Sequence, residues 1–168
     1  MHEQAMTEGQ GTKWNVLVHT DVWLDFVTDR RGTASAIAQV FDRVEVAGGA
    51  LLTSVVSMYE LFYALQAYLC AGGDPDKGAE SREQVAWATL RMLRERSTIV
   101  GADLGDCFEA EYLRQLHGDF GDDLVMAAAK RGRADILLTG DADLRRHAPM
   151  AALGIDEMCA YVGVEVRQ

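Results

Sequence analysis

Cysteine is scarce and scattered. Cys70, Cys107 and Cys159 are the three in a chain of 168 residues, and no two stand in a C-x-x-C spacing, which removes zinc ribbons and a disulfide framework from consideration. Buried or idle thiols remain. No apolar run is long enough to cross a bilayer. The opening residues, MHEQAMTEGQGTK, hold no apolar segment of secretory-signal type. Residues 1–13 therefore read as a flexible polar leader, 14–168 as one domain, and cytoplasmic is the default location. Gly-rich phosphate loops, G-x-S-x-G elbows and H-E-x-x-H pairs are missing as well. Basic charge is also short: 16 Lys and Arg stand against 26 Asp and Glu, for a formal net charge of -10. Nucleic acids attract basic surfaces, so either the partner is not a nucleic acid or many of these acids gather in a pocket that cations neutralise.

What is present is an alternation of short apolar strands and helices, with no internal repeat and no low-complexity segment. Strands are expected at Val16-Leu17-Val18, Leu51-Leu52-Thr53, Thr98 to Val100 and Ile136-Leu137-Leu138, with VGVEV near the C-terminus as a last one. Helices are expected from Val22 to Asp29, from Ala34 to Val46 with Ile37, Val40, Phe41 and Val44 at helical spacing, from Ser57 to Leu69 with Leu61, Leu65 and Leu69 in line, from Glu80 to Arg96, from Asp106 to His117 and from Asp122 to Arg131. Gly48-Gly49 ends the second helix, and Gly72-Gly73-Asp74-Pro75 is the clearest loop. Asp106 with Glu109 resembles a capping box, and Asp119 is a candidate N-cap. Short apolar strands between helices imply a parallel sheet covered on both faces. The expected fold is a three-layer α/β/α sandwich with a central, mainly parallel sheet, whose ligands bind at the carboxyl ends of the strands where strand order reverses.

Acids cluster at those ends. Asp21 follows the first strand, Glu60 lies one turn into the helix after the second, Asp119, Asp122 and Asp123 open a helix, and Asp141 and Asp143 follow the fourth strand in LLTGDADL. Carboxylates packed together repel, and one of them protonates unless a cation is present. Mg2+ or Mn2+ relieves the repulsion, because hard cations prefer oxygen ligands, and such a site suits phosphodiester hydrolysis. The plainer readings stand beside this one. A lone Asp at a helix start is most often a cap, which applies to Asp119, Asp21 and Asp143, and Asp135 reads as a turn residue. Glu60 resists that explanation, because its neighbours in VVSMYELFYAL are apolar or aromatic and a buried carboxylate needs a partner.

Four segments, in order, resemble the PIN domain, the nuclease fold of toxins in VapBC-type toxin–antitoxin pairs. They are VLVHTDVWLDFV, TSVVSMYEL, DFGDDLVMAAA and ADILLTGDADL, and the resemblance runs from about Val16 to Leu153. It implies a divalent-metal-dependent endoribonuclease, with Asp21, Glu60, Asp122 and Asp141 as catalytic and metal-binding acids and Asp143 as a further ligand. It departs from the family at one position: the first metal-binding Asp of the family falls on His19. Three readings follow. His19 has replaced an essential ligand and catalysis is weak or lost; or Asp21 approaches the metal in a remodelled site; or His19 is itself a ligand, which would shift preference from Mg2+ toward Mn2+ or Zn2+. A structural alternative is a half-buried imidazole hydrogen-bonded to a carboxylate. Next to Asp122 and Asp141 its pKa is expected to rise.

The resemblance also implies RNA as substrate, a small antitoxin as partner and a homodimer. RNA would need cations outside the acidic pocket. The candidates are Arg30-Arg31, Lys130-Arg131 with Arg133, and Arg145-Arg146 with His147, each of which is equally a solvated helix end. Tyr59, Phe62, Tyr63 and Tyr68 are either core or a dimer or antitoxin surface. A non-catalytic PIN module that binds RNA or a protein is the competing function. A haloacid-dehalogenase-like phosphatase is a third, weakened because its nucleophile would again fall on His19 and Glu60 would have no role.

Overall fold

A computed structural model describes residues 13–72 and 78–164. Val16, Leu17 and Val18 are wholly buried, as a strand covered on both faces demands. They belong to β1 (Asn15–Val18), the middle of a five-stranded sheet that also contains β2 (Ala50–Ser54), β3 (Thr98–Val100), β4 (Ile136–Leu138) and β5 (Ala152–Leu153). The order is β3-β2-β1-β4-β5, and every pair is parallel, with Leu17 opposite both Leu52 and Leu137.

Alternation along β1 divides the core. Val16 and Val18 pack with Trp23, Phe41, Leu61, Leu93 and Met158 on one face of the sheet, while Leu17 packs with Val125, Met126, Leu137 and Leu144 on the other. The first layer is supplied by α1 (Thr20–Thr28), α2 (Ala34–Val46), α3 (Val55–Ala71), α4 (Ala79–Arg96) and α8 (Ile155–Val162). The second comes from α5 (Leu104–Leu113), α6 (Phe120–Arg131) and α7 (Ala142–His147). The result is the expected α/β/α sandwich. The apolar line of α2 is wholly inside, since Ile37, Val40, Phe41 and Val44 are at most 1% exposed. Gly49 is required by a close approach: a Cβ there would lie 2.1 Å from the Trp14 carbonyl oxygen, which accepts from Ala50 N.

Three local expectations are corrected. The segment after Gly154 forms helix α8, with Glu157 accepting from Gly154 N at 2.7 Å, so Val162 is helical; the end of VGVEV, from residue 165 on, lies outside the described residues. The fifth strand is instead Ala152–Leu153, a two-residue edge. Asp103, not Asp106, caps α5. Its side chain accepts from Gly105 N at 2.7 Å while Asp106 reaches back to Asp103 N at 2.7 Å, so Asp106 is the far member of the box and Glu109 has no part in it. Gly72 caps α3, and the remainder of the expected loop, residues 73–75, lies outside the described residues. Among the described residues, no helix is long and apolar enough to cross a membrane.

Candidate functional site

In the order β3-β2-β1-β4-β5 the chain builds outward from β1 on one side and then crosses to the other. The carboxyl ends of β1 and β4 therefore face each other at the point of reversal, where open α/β sheets place their ligands. His19 extends that pair, donating its backbone N–H to the Leu138 carbonyl at 3.0 Å. Thr139, Gly140 and Asp141 follow β4 directly.

His19 is 7% exposed. Its Nδ1 lies 2.9 Å from Thr139 Oγ1 and 3.1 Å from Asp21 Oδ1, and its Nε2 lies 3.1 Å from Asp122 Oδ1. Each ring nitrogen thus faces a carboxylate oxygen, an arrangement that favours the doubly protonated imidazolium, which donates from both nitrogens. Burial is the largest influence and opposes that charge, but hydrogen bonds to Asp122 and Asp21 and their charges outweigh it and raise the pKa to about 10. For Asp21, burial pushes the pKa upward, while the His19 hydrogen bond and charge, with backbone N–H groups of Gly140 and Val22, hold it below the usual carboxylate range. The expected rise at His19 is present, but its second carboxylate is Asp21 and not Asp141.

Asp21 is not a helix cap. Its Oδ1 accepts from Val22 N at 2.8 Å and its Oδ2 from Gly140 N at 2.8 Å. A Cβ on Gly140 would stand 2.7 Å from that Oδ2 and 2.9 Å from the Arg31 guanidinium, so a glycine is what lets the loop close on the carboxylate. Glu60 has the partner its apolar surroundings demand: Thr20 Oγ1 donates to its Oε2 at 2.6 Å. Its Oε1 lies where a Cβ on Gly121 would be only 2.6 Å away. Asp119 caps α6, accepting from Gly121 N and Asp122 N. Asp141 caps α7, accepting from Asp143 N at 2.7 Å and Leu144 N at 3.0 Å, so the cap of that helix is Asp141 rather than Asp143. Asp143 is exposed and faces Arg146 at 3.2 Å.

Thr20, Thr139 and His117 were not singled out in the sequence. Thr139 joins His19, Asp21 and the Asp141 N–H at one hydroxyl. The Nε2 of His117 lies 3.7 Å from Asp122 Oδ2 and 3.8 Å from Asp143 Oδ2. Thr20 meets Glu60 across 40 residues of chain and Thr139 meets His19 across 120, while His117 comes from just ahead of the helix that carries Asp122.

The donor set does not fit Mg2+ or Mn2+. Among the described residues, no group of three or more His, Cys, Asp or Glu side chains is gathered to hold a metal ion. Asp21 and Asp122 face the His19 ring, one oxygen of Glu60 accepts from Thr20, and one oxygen of Asp141 caps α7. A protonated ring offers no lone pair to a metal.

Most of the basic candidates are engaged within the chain. Arg145 pairs with Glu157 at 2.6 Å, Arg146 with Asp143, and Lys130 with Glu109 at 2.7 Å. Lys130 is also two helical turns from Asp122, toward the opposite end of the sheet. Arg30 and Arg31 both pair with the buried Asp25. Of the aromatic set on α3, Tyr59 and Tyr63 are exposed and meet edge to face with centroids 5.0 Å apart, while Phe62 packs partly against the core.

Comparison with known proteins agrees with this architecture. The solved structures it resembles include VapBC2 from Rickettsia felis bound to a promoter DNA fragment (13% identity, TM-score 0.58, covering 83% of this chain and 98% of that one). PAE2754 from Pyrobaculum aerophilum is similar over 91% of this chain and 98% of that one, at 15% identity and a TM-score of 0.61. FitAcB from Neisseria gonorrhoeae is similar over 83% and 97%, at 17% identity and 0.57. At such identities the likeness is one of fold. No curated protein matches the sequence. The PIN domain family model matches residues 16–149, a span that holds β1 through α7 and every acid of the site, and the chain belongs to the PIN domain family.

Proposed function

We propose that the chain is the PIN-domain member of a toxin–antitoxin type pair, in which metal-dependent phosphodiester hydrolysis is lost or strongly attenuated, and that it acts by binding a protein partner of the antitoxin kind. One observation carries the reading: the two ring nitrogens of His19 lie 3.1 Å from Asp21 and from Asp122, where a protonated ring supplies the positive charge that a divalent ion would bring to these acids. PIN nucleases typically use divalent metals, and here the charge is covalently attached. An imidazolium offers no open coordination position and cannot activate water as a metal does. The net charge of -10 and the internal pairing of Arg145, Arg146 and Lys130 favour a protein partner over RNA.

A second reading rests on a different observation. Asp21 and Asp122 both face the His19 ring at the point of strand reversal, so a weak endoribonuclease using Mg2+ or Mn2+, with Glu60, Asp141 and Asp143 as further acids, is the runner-up. Cleavage of a mixed single-stranded RNA pool in Mg2+ and in Mn2+, by this protein and by His19→Asp, separates the two. The proposal predicts no cleavage by the unaltered protein and metal-dependent cleavage by the variant. Chelator-sensitive cleavage by the unaltered protein would sink it.

A further inference from the structure

Asp123 follows Asp122 in sequence but serves none of the contacts around His19. One residue along a helix turns a side chain by about 100°, which takes Asp123 away from the site and toward α5. There it is 1% exposed, and neither Oδ1 nor Oδ2 has a hydrogen-bond partner among the described residues. Asp21, Glu60, Asp122 and Asp141 each have at least one donor. Burying a carboxylate without one is costly, and a single α-helical position could have been filled by an apolar residue at no such cost.

The residue lines a cavity of about 310 Å3 between α5 and α6. Its buried members are Ala110 and Asp123; Glu111, Arg114, Gly118 and Phe120 are exposed around it. The cavity therefore has a carboxylate in its floor whose two oxygens are almost wholly covered, a second carboxylate and an aromatic ring at its mouth, and one arginine. Phe120 is 62% exposed, so its ring is available.

We propose that this cavity recognises a guanidinium cation. Two unpartnered oxygens on one carboxylate match the two parallel N–H groups of a guanidinium fork once the exposed rim of the cavity yields to uncover them. The same planar cation stacks on an aromatic ring such as Phe120, and it leaves water more readily than an ammonium. Glu111 adds a second negative charge at the mouth and offsets Arg114, whose own guanidinium makes no ion pair with Asp123. A hard metal ion is the poorer occupant, because it requires six or more oxygen ligands and the cavity offers two carboxylates. The proposal is independent of whether the His19 site cuts RNA.

The probe is N-acetylarginine amide, titrated into the full chain while backbone amide resonances are followed. Saturable shifts at Ala110, Gly118 and Asp123 are expected, with affinity in roughly the millimolar range for so small a ligand. N-acetyllysine amide should bind several-fold more weakly. Asp123→Asn should weaken the arginine probe at least tenfold, and Phe120→Leu, at an exposed position that leaves folding intact, several-fold. A peptide with one arginine among leucines identifies the source: tenfold tighter binding than the monomer points to a partner protein's side chain, and equal binding to a free guanidinium compound. No saturable shift, shifts confined to residues around His19, or shifts unaffected by both Asp123→Asn and Phe120→Leu would overturn the proposal.

Discussion

Replacing His19 by asparagine should remove most of the dependence of stability on pH above neutrality. In the folded chain the imidazolium persists to about pH 10, against a reference value of 6.5. Its contribution is fully present below pH 6.5, falls as the pH rises through the interval between the two values, and is gone above the upper one. The difference of about 3.5 pH units corresponds to roughly 5 kcal/mol as a ceiling, and to a slope of about 1.4 kcal/mol per pH unit for one proton. Little screening applies, because the His19 side chain is 8% exposed and those of Asp21 and Asp122 are 19% and 16%. Asp21 has the opposite sign: its lowered pKa contributes stability that is lost as the pH falls through the carboxylate range. Maximum stability is therefore expected between the carboxylate range and pH 6.5. Urea unfolding of the protein and of His19→Asn at pH 6, 7.5 and 9 measures the slope. The unaltered protein should lose on the order of 3 kcal/mol more than the variant across that span. Parallel profiles, or an imidazole whose proton resonances titrate near 6.5, would refute the buried imidazolium.

Three further outcomes follow from packing and burial. Gly49→Ala places a Cβ 2.1 Å from a backbone carbonyl oxygen, and should cost about 2–4 kcal/mol, seen as a fall in Tm of roughly 5–15 °C. Trp23→Ala empties the largest fully buried position and should cost about 3–5 kcal/mol in urea unfolding at unchanged secondary structure. Asp123→Leu removes a buried carboxylate that has no donor and should raise stability by about 1–3 kcal/mol; a loss of stability there would mean that the carboxylate has an unseen partner within the fold.

Much of this arrangement can be read in the residues, and the exceptions share a cause. The strands β1, β2 and β4 are apolar runs buried on both faces, and the bounds of α2 follow from one amphipathic line. β5 has two half-buried residues and no period at all, so nothing local distinguishes it. The VGVEV segment alternates like a strand, but the Glu157 carboxylate on Gly154 N starts a helix that carries Val162 with it. At the site, the family motifs bring Asp21, Glu60 and Asp122 into view together. Their hydrogen-bond partners are invisible, because Thr20 meets Glu60, and Thr139 meets His19, only through the order of strands. Asp141 illustrates the limit of residue type: the same carboxylate that suits a metal also suits two backbone N–H groups, and here it caps α7. His19 was legible as a departure, but its role was not, since loss of a ligand, ligation and ion pairing are the same letter in a sequence and differ only in what each ring nitrogen faces.

Titration calorimetry with Mn2+ and Mg2+, on this protein and on His19→Asp, tests the central claim most directly. If the imidazolium occupies the place of the cation, the unaltered protein gives no heat beyond dilution with either ion, and His19→Asp binds Mn2+ in the low-millimolar range or tighter. If the unaltered protein binds Mn2+ as tightly as the variant does, the histidine does not close the site, and the acids around it form a working metal centre.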